Sequence, residues 1–232
     1  QTTFTDFILS LIQREIMSRL TKAESLRFSE LKSSKIESNL FMYHLRQLIS
    51  HGLVEKTDHG YCLTRHGKSY IDRPTLETLI LRPQAKIITI LAVQNISKQW
   101  LVLERLHQPY YGYRGMPSGK VHYGEDLHNA AKRELKEKAN LENVDLELRG
   151  NIILRYFAKD DPSLIVSHVV GYVFTGNAGE ANMEYVQPDF RSFWDKEITN
   201  SETHNFQGHT EIIDLLAANK VFIKTLNLPS DY

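Results

Sequence analysis

The chain has 232 residues, 28 basic and 28 acidic side chains, 24% charged and 41% hydrophobic residues, which suits one large globular domain or two small ones. That balance excludes a collagen-like chain, an acidic disordered chain and a chain that is basic throughout. Apolar runs such as Ile87–Val93 are too short to span a bilayer, no basic-then-apolar leader opens these residues, and a single cysteine, Cys62, excludes an internal disulfide framework or a cysteine-cluster zinc site, so an intracellular, cytoplasmic protein is expected.

Taken in chain order, Thr5-Asp6 can cap a helix whose apolar residues follow at Phe7, Ile8, Leu11, Ile12, Ile16 and Leu20. Ser29-Glu30-Leu31 reads as the start of a short second helix. Ser38 can cap a third, with Phe41, Leu45, Leu48 and Ile49 on one stripe and Gly52 as its stop. Two short alternating stretches follow, Leu53–Lys56 and Tyr61–Thr64, around the polar turn Thr57-Asp58-His59-Gly60, which predicts a hairpin. Between Lys32 and Lys68 six basic residues face three acidic ones, a modest excess.

Helix, helix, helix, hairpin is the order of a winged helix-turn-helix. The segment Phe41–Lys56 with Gly60–Thr64 resembles the recognition helix and wing of bacterial and archaeal regulators of that family. The resemblance covers about the first 70 residues. With the apolar stripe inward, Asn39, Met42, Tyr43, Arg46 and Gln47 face out, and Asn, Arg and Gln are side chains that read base edges. Lys56, His59 and Arg65 are placed to meet phosphate. The resemblance implies double-stranded DNA as a partner, bound by a homodimer, with Asn39, Tyr43, Arg46, Gln47, Lys56 and Arg65 as the contacting residues. A small helical module for dimerisation or protein contact is the plainer reading of the same pattern.

Asp72-Arg73-Pro74 and Arg82-Pro83-Gln84 punctuate the chain. We therefore expect a first domain over 1–72, a linker over 73–84 and a second domain over 85–232. In the second, Ala85–Val93 and Trp100–Glu104 read as strands. An aromatic loop follows at Gln108–Tyr113, then a helix over Leu127–Lys138, strands at Ile152–Phe157 and Leu164–Phe174, and a late helix over Thr210–Asn219. Strands mixed with helices indicate an α/β layer fold.

Within it, Gly119 is followed after five intervening residues by Glu125, and after seven more by Arg133-Glu134-Leu135-Lys136-Glu137-Lys138-Ala139-Asn140-Leu141. This looks like a Nudix box, matching at Gly119, Glu125, Arg133, Glu134, Leu135, Glu137 and Leu141. It departs at Lys138, where the family has a second Glu of a pair, and at Asn140, where it has Gly. Pro117-Ser118-Gly119 resembles the family's entry to the box. The resemblance implies a Nudix-type α/β/α sandwich preceded by a winged helix-turn-helix domain.

On a helix, Glu134, Glu137 and position 138 lie at i, i+3 and i+4 and point from one face. In the family the carboxylates there serve as catalytic base or as ligands of Mg²⁺ or Mn²⁺. The ion takes hard oxygen ligands and bridges to substrate phosphates. Carried over, Glu134, Glu137 and Arg133 form the catalytic set, and Gly119, Glu134 and Glu137 the metal set. Lys138 replaces an expected ligand and puts repulsion where attraction belongs. Its ammonium can itself meet a phosphate. Arg105, Tyr111 and Arg114, in and around the aromatic loop, join Lys138 as candidate ligand-binding residues. Tyr110 and Tyr113 could stack on a base, while His107 and His122 read as solvated. One of Glu197, Glu202 and Glu211 is expected to complete the metal site. Phe193-Trp194 is expected in the core or on a pocket floor.

These features lead to a ligand-sensing regulator. Its Nudix-like domain binds a nucleoside-diphosphate-type metabolite with weak or no hydrolysis, and its winged helix reports to DNA. It resembles the Nudix-related regulators that sense compounds such as ADP-ribose, although there the DNA-binding module lies on the other side of the Nudix domain. The alternative is a working Mg-dependent pyrophosphohydrolase with an extra domain.

Overall fold

The computed structural model of the chain describes residues 9–71, 84–108, 110–181, 184–198 and 204–230. It divides into two compact units, Gln1–Pro83 and Gln84–Tyr232. The expected linker over 73–84 lies, apart from Gln84, outside the described residues, as do the proposed Thr5-Asp6 cap, Phe7 and Ile8.

The first unit runs α1 (Leu11–Leu20), α2 (Phe28–Leu31), α3 (Ser38–Ser50), β1 (Val54–Thr57), β2 (Gly60–Leu63) and α4 (Arg65–Ile71). Ser10 caps α1 through a reciprocal box with Gln13. The cap of α3 is Glu37 rather than the expected Ser38. Its carboxylate accepts from the backbone N–H groups of Asn39 and Leu40, and its charge suits the positive end of the helix. Gly52 follows α3 with φ +68°, the left-handed conformation that ends a helix. Ile16, Met17 and Leu20 of α1 pack with Phe41, Leu45 and Leu48 of α3, and Leu31, Leu53, Val54, Tyr61 and Ile71 close this core. Ile49, expected in that stripe, is exposed, because each four-residue step from Phe41 through Leu45 drifts about 40° round the helix and carries it to the stripe's edge. β1 and β2 pair antiparallel, Thr57 opposite Gly60.

The second unit contains β3 (Lys86–Gln94), β4 (Trp100–Arg105), β5 (Arg114–Gly115), β6 (Ser118–Lys120), α5 (Leu127–Ala139), β7 (Leu146–Phe157), β8 (Ile165–Asn177), β9 (Glu184–Gln187), β10 (Phe190–Asp195), α6 (His209–Ala217) and β11 (Phe222–Pro229). They form one mixed sheet in the order β11-β7-β8-β3-β4-β10-β9, parallel at β3–β8 and β11–β7. Period-2 alternation along β3 sorts the two faces. Ile90 and Ala92 pack toward Ile212 of α6. Leu91 and Val93 pack toward Ala131, Leu135 and Ala139 of α5. Helices on opposite faces of one sheet make the α/β/α sandwich. Asn140 ends α5 with φ +51°, so the departure from Gly costs little where Asn tolerates that conformation.

Among the described residues β3 and β4 pair only at Gln94 opposite Trp100. Beyond that point they part, β6 pairing with β3 and β5 with β4. The segment 114–120 thus crosses the sheet between them, under α5 on one face and near α6 on the other. Among the described residues no helix is long and apolar enough to cross a membrane.

Candidate functional site

The N-cap Asp126 starts α5 by accepting from His128 and Asn129 N–H. The helix then lays its apolar side on the sheet and turns Arg133, Glu134 and Glu137 toward β6. Arg133 is the hub. Its Nε and Nη2 donate to the two oxygens of Glu125 at 2.8 and 2.9 Å, its Nη1 to Glu134 at 2.7 Å and Glu137 at 3.2 Å, and its Nη2 also to the Lys120 carbonyl at 3.0 Å. One planar fork thus ties three carboxylates and the end of β6 together. The Arg133 hydrogen bonds and the His122 N–H hold the Glu125 carboxyl down to about 2. Its contribution to folding is therefore complete above the ordinary carboxylate range and fades as pH falls toward 2. The guanidinium itself is driven further up by the same partners.

Glu134 is buried, 4% exposed, and its Oε2 has no hydrogen-bond partner. Its carboxylate fills the place a side chain at position 119 would take: a Cβ added to Gly119 would fall on it. Glycine is required there because the helix supplies the side chain that the strand omits.

Lys138 is half-buried, and its ammonium lies 4.6 Å over the ring of Phe190 on β10. A cation–π contact thus draws the charge toward β10.

Among the described residues no group of three or more His, Cys, Asp or Glu side chains is gathered to hold a metal. The unpartnered Oε2 of Glu134 and the half-exposed carboxylate of Glu137 nonetheless suit a hard divalent ion. Magnesium commonly takes one or two protein carboxylates and fills its other positions with water and substrate phosphate. The donors fit that open arrangement and not a closed protein cage.

On the face opposite α5, a cleft of about 160 Å³ lies over β3, β7 and β8. Its floor includes Ile88, Ile90, Leu154 and Val169, and its rim Tyr110, Tyr113, Tyr156, Phe206, Lys86 and His209. The aromatic wall is cohesive: Tyr110, Tyr113 and Phe206 meet with ring centroids 5.2–5.5 Å apart. Among the described residues no carboxylate lines it.

No local motif marks His209 in the sequence. It begins α6, is 6% exposed, and its Nδ1 accepts from the Met116 N–H at 3.1 Å. It therefore pins the crossing segment on the side away from Glu134. Burial pushes its imidazole down from 6.5 to about 4. The folded state holds it neutral while the unfolded chain protonates near 6.5. Stability is thus expected to fall as pH drops from 6.5 toward 4, by about 3 kcal/mol in total. In urea melts across that range, His209→Gln should flatten this slope; an unchanged slope would assign it to other groups.

The remaining candidates are dispersed. Arg114 is buried against Asp195 at 2.6 Å, with its guanidinium over Phe193. Arg105 lies beside the His107 ring. Tyr111 is 59% exposed and outside the cleft lining, whereas its neighbours Tyr110 and Tyr113 belong to it. His122 is exposed, with its N–H donating to Glu125. Trp194 packs in the α5-side core. Glu197 and Glu211 are exposed, and Glu202 lies outside the described residues.

In the first unit Asn39, Tyr43 and Arg46 are exposed on α3, as are Lys56, His59 and Arg65 on and after the hairpin. Gln47 differs from its expected place. It is half-buried, its Oε1 accepting from Gln13 and its Nε2 donating to the Tyr43 hydroxyl. It tethers α1 to α3, because Gln13 is buried and needs a partner there.

A family model described as the NUDIX domain matches residues 83–206. A second, described as a domain of unknown function (DUF7347), matches residues 8–73. No curated protein matches the chain. Among solved structures, the MutT protein of Bacillus halodurans is 24% identical with a TM-score of 0.52, covering 63% of this chain and 92% of its own. A NUDIX hydrolase of Nitrosomonas europaea is 17% identical with a TM-score of 0.44, covering 64% and 82%. The NUDIX domain of Shewanella oneidensis NrtR, solved with ADP ribose, is 14% identical with a TM-score of 0.47, covering 68% and 99%.

Proposed function

We propose, from the premise that this chain belongs to the NUDIX domain family, that its second unit binds a nucleoside-diphosphate-type metabolite and turns it over slowly or not at all. The observation that carries this reading is Lys138, a cation on the box face where a ligand carboxylate is expected, beside a two-carboxylate site. Arg133 holds Glu125, Glu134 and Glu137 in place. Glu134 and Glu137 would hold Mg²⁺ or Mn²⁺ jointly with the ligand's phosphates, and the aromatic-walled cleft would take the nucleoside part. When bound, such an ion supplies Lewis acidity toward the diphosphate. The Lys138 ammonium offsets phosphate charge in the same place.

The first unit, read as a winged helix, carries the response to double-stranded DNA through Asn39, Tyr43, Arg46, Lys56 and Arg65. A homodimer would double those contacts. A second reading, a working pyrophosphohydrolase, is favoured by one observation: the Arg133 network is intact and Glu134 keeps an open oxygen.

The test sets hydrolysis of a nucleoside-diphosphate panel, ADP-ribose included, with Mg²⁺ or Mn²⁺, beside thermal-shift binding of the same compounds. Binding without turnover supports the sensor, whereas turnover at ordinary enzyme rates selects the hydrolase. Gel shift on DNA upstream of its own locus should show sequence-preferring binding that weakens steeply with salt. Absence of such binding removes the DNA arm.

A further inference from the structure

Thr89 lies in the middle of β3, fully buried, between residues that are otherwise Ile, Leu, Ala and Val. Its hydroxyl has no hydrogen-bond partner. Valine has the same shape and would fill the site without leaving a polar atom unpaired. The hydroxyl calls for an acceptor or donor that the core strands do not provide.

The register shows where one lies. Thr89 stands directly opposite Gly119 in the antiparallel β3–β6 pair. Side chains of directly opposed residues leave the sheet on the same face, their Cβ atoms roughly 4.5–5.5 Å apart. Thr89 shares its parity with Leu91 and Val93, which pack on α5. The space above Gly119 on that face is filled by the Glu134 carboxylate. One carboxylate oxygen of Glu134 is taken by Arg133; the other, Oε2, is buried and unpartnered. A buried donor without an acceptor thus neighbours a buried acceptor without a donor. A rotation of the hydroxyl, or one water between them, joins the two.

We propose that Thr89 is a positioning residue for Glu134: its hydroxyl donates to Oε2, directly or through one water, so Arg133 and Thr89 grip the carboxylate from both sides. This deepens the proposed site and rests on the reading of Glu134 as its metal-facing carboxylate. With both oxygens held, the carboxylate keeps one orientation, and its remaining lone pairs face the ion and phosphate.

The experiment is a double-mutant cycle on the full chain, pairing Thr89→Val with Glu134→Met and read by urea unfolding. The expected result is coupling: the effect of Thr89→Val on the unfolding constant differs at least fivefold between the wild-type chain and the Glu134→Met variant. Thr89→Ser, which keeps the hydroxyl, should show a Thr-like coupling. Effects that add within twofold overturn the proposal, as does a serine variant behaving like valine, since both would make Thr89 a packing residue. Mn²⁺ binding with ADP is measured on the same proteins. If the wild-type chain binds no Mn²⁺ with ADP, the metal reading of the site fails, while the cycle still decides the Thr89–Glu134 contact. If it binds, Thr89→Val is expected to weaken Mn²⁺ about tenfold and Thr89→Ser less than threefold.

Discussion

Gly119→Ala is expected to dismantle the site through a single methyl group. The new Cβ would occupy the position of the Glu134 carboxylate. β6 is held to β3 by its ladder, so the end of the flexible Glu134 side chain is what yields, and it does so by giving up its Arg133 hydrogen bond. The carboxylate must leave, taking one arm of that network with it. Overpacking of this kind costs about 1–3 kcal/mol. In a chain of this size that lowers Tm by roughly 2–12 °C. The larger effect is on ligand: Mn²⁺-supported nucleotide binding should fall by about 100-fold or more, since Glu134 is the buried carboxylate of the proposed metal pair. Thermal melting and Mn²⁺ titration with ADP read the two effects separately. A variant with normal melting and normal titration would mean that β6 and α5 do not meet as described.

Lys138→Glu is expected to act in the opposite direction. Two unit charges 4 Å apart interact by about 4 kcal/mol at an effective dielectric of 20. Lys138 is half-buried and its ammonium already leans on Phe190, so solvent and distance remove much of that. Reversing the charge and adding a ligand oxygen should still tighten Mg²⁺ or Mn²⁺ about tenfold, or ~1.4 kcal/mol. Turnover of the nucleotide panel should rise with it. Unchanged metal affinity would place position 138 outside the site and leave the sensor reading without its main support.

What the sequence discloses follows from how local each signal is. The box is readable because its spacing lies within one strand end, one loop and one helix, where helix geometry brings Arg133, Glu134 and Glu137 to one side. β3 stands out as a continuous apolar run, and the β1–β2 hairpin as two short stretches about a glycine turn. The cleft is invisible because its lining comes from several elements spread between Lys86 and His209. His209 sits in an undistinguished stretch, and its value comes from meeting the Met116 N–H, a contact 93 positions apart. β10 and β11 escape a sequence reading because their alternation is weak; Ile223 is 80% exposed although it lies in a strand. Helix faces are more legible than helix ends, as the Glu37 cap shows. Gln47 reads as outward because a wheel cannot reveal that Gln13, on another helix, needs a partner.

The bond sequence that joins α1 to α3 has a direction. The Ser10 N–H donates to Gln13 Oε1, Gln13 Nε2 donates to Gln47 Oε1, and Gln47 Nε2 donates to the Tyr43 oxygen. Each amide can face only one way, because its carbonyl end is already fixed by the donor before it. The relay therefore ends on a lone pair of the Tyr43 oxygen and leaves its phenolic proton to donate elsewhere. One lone pair of that oxygen remains, so the hydroxyl can still accept as well as donate. The direction of the Gln47–Tyr43 contact on α3 is thus set at the first turn of a different helix.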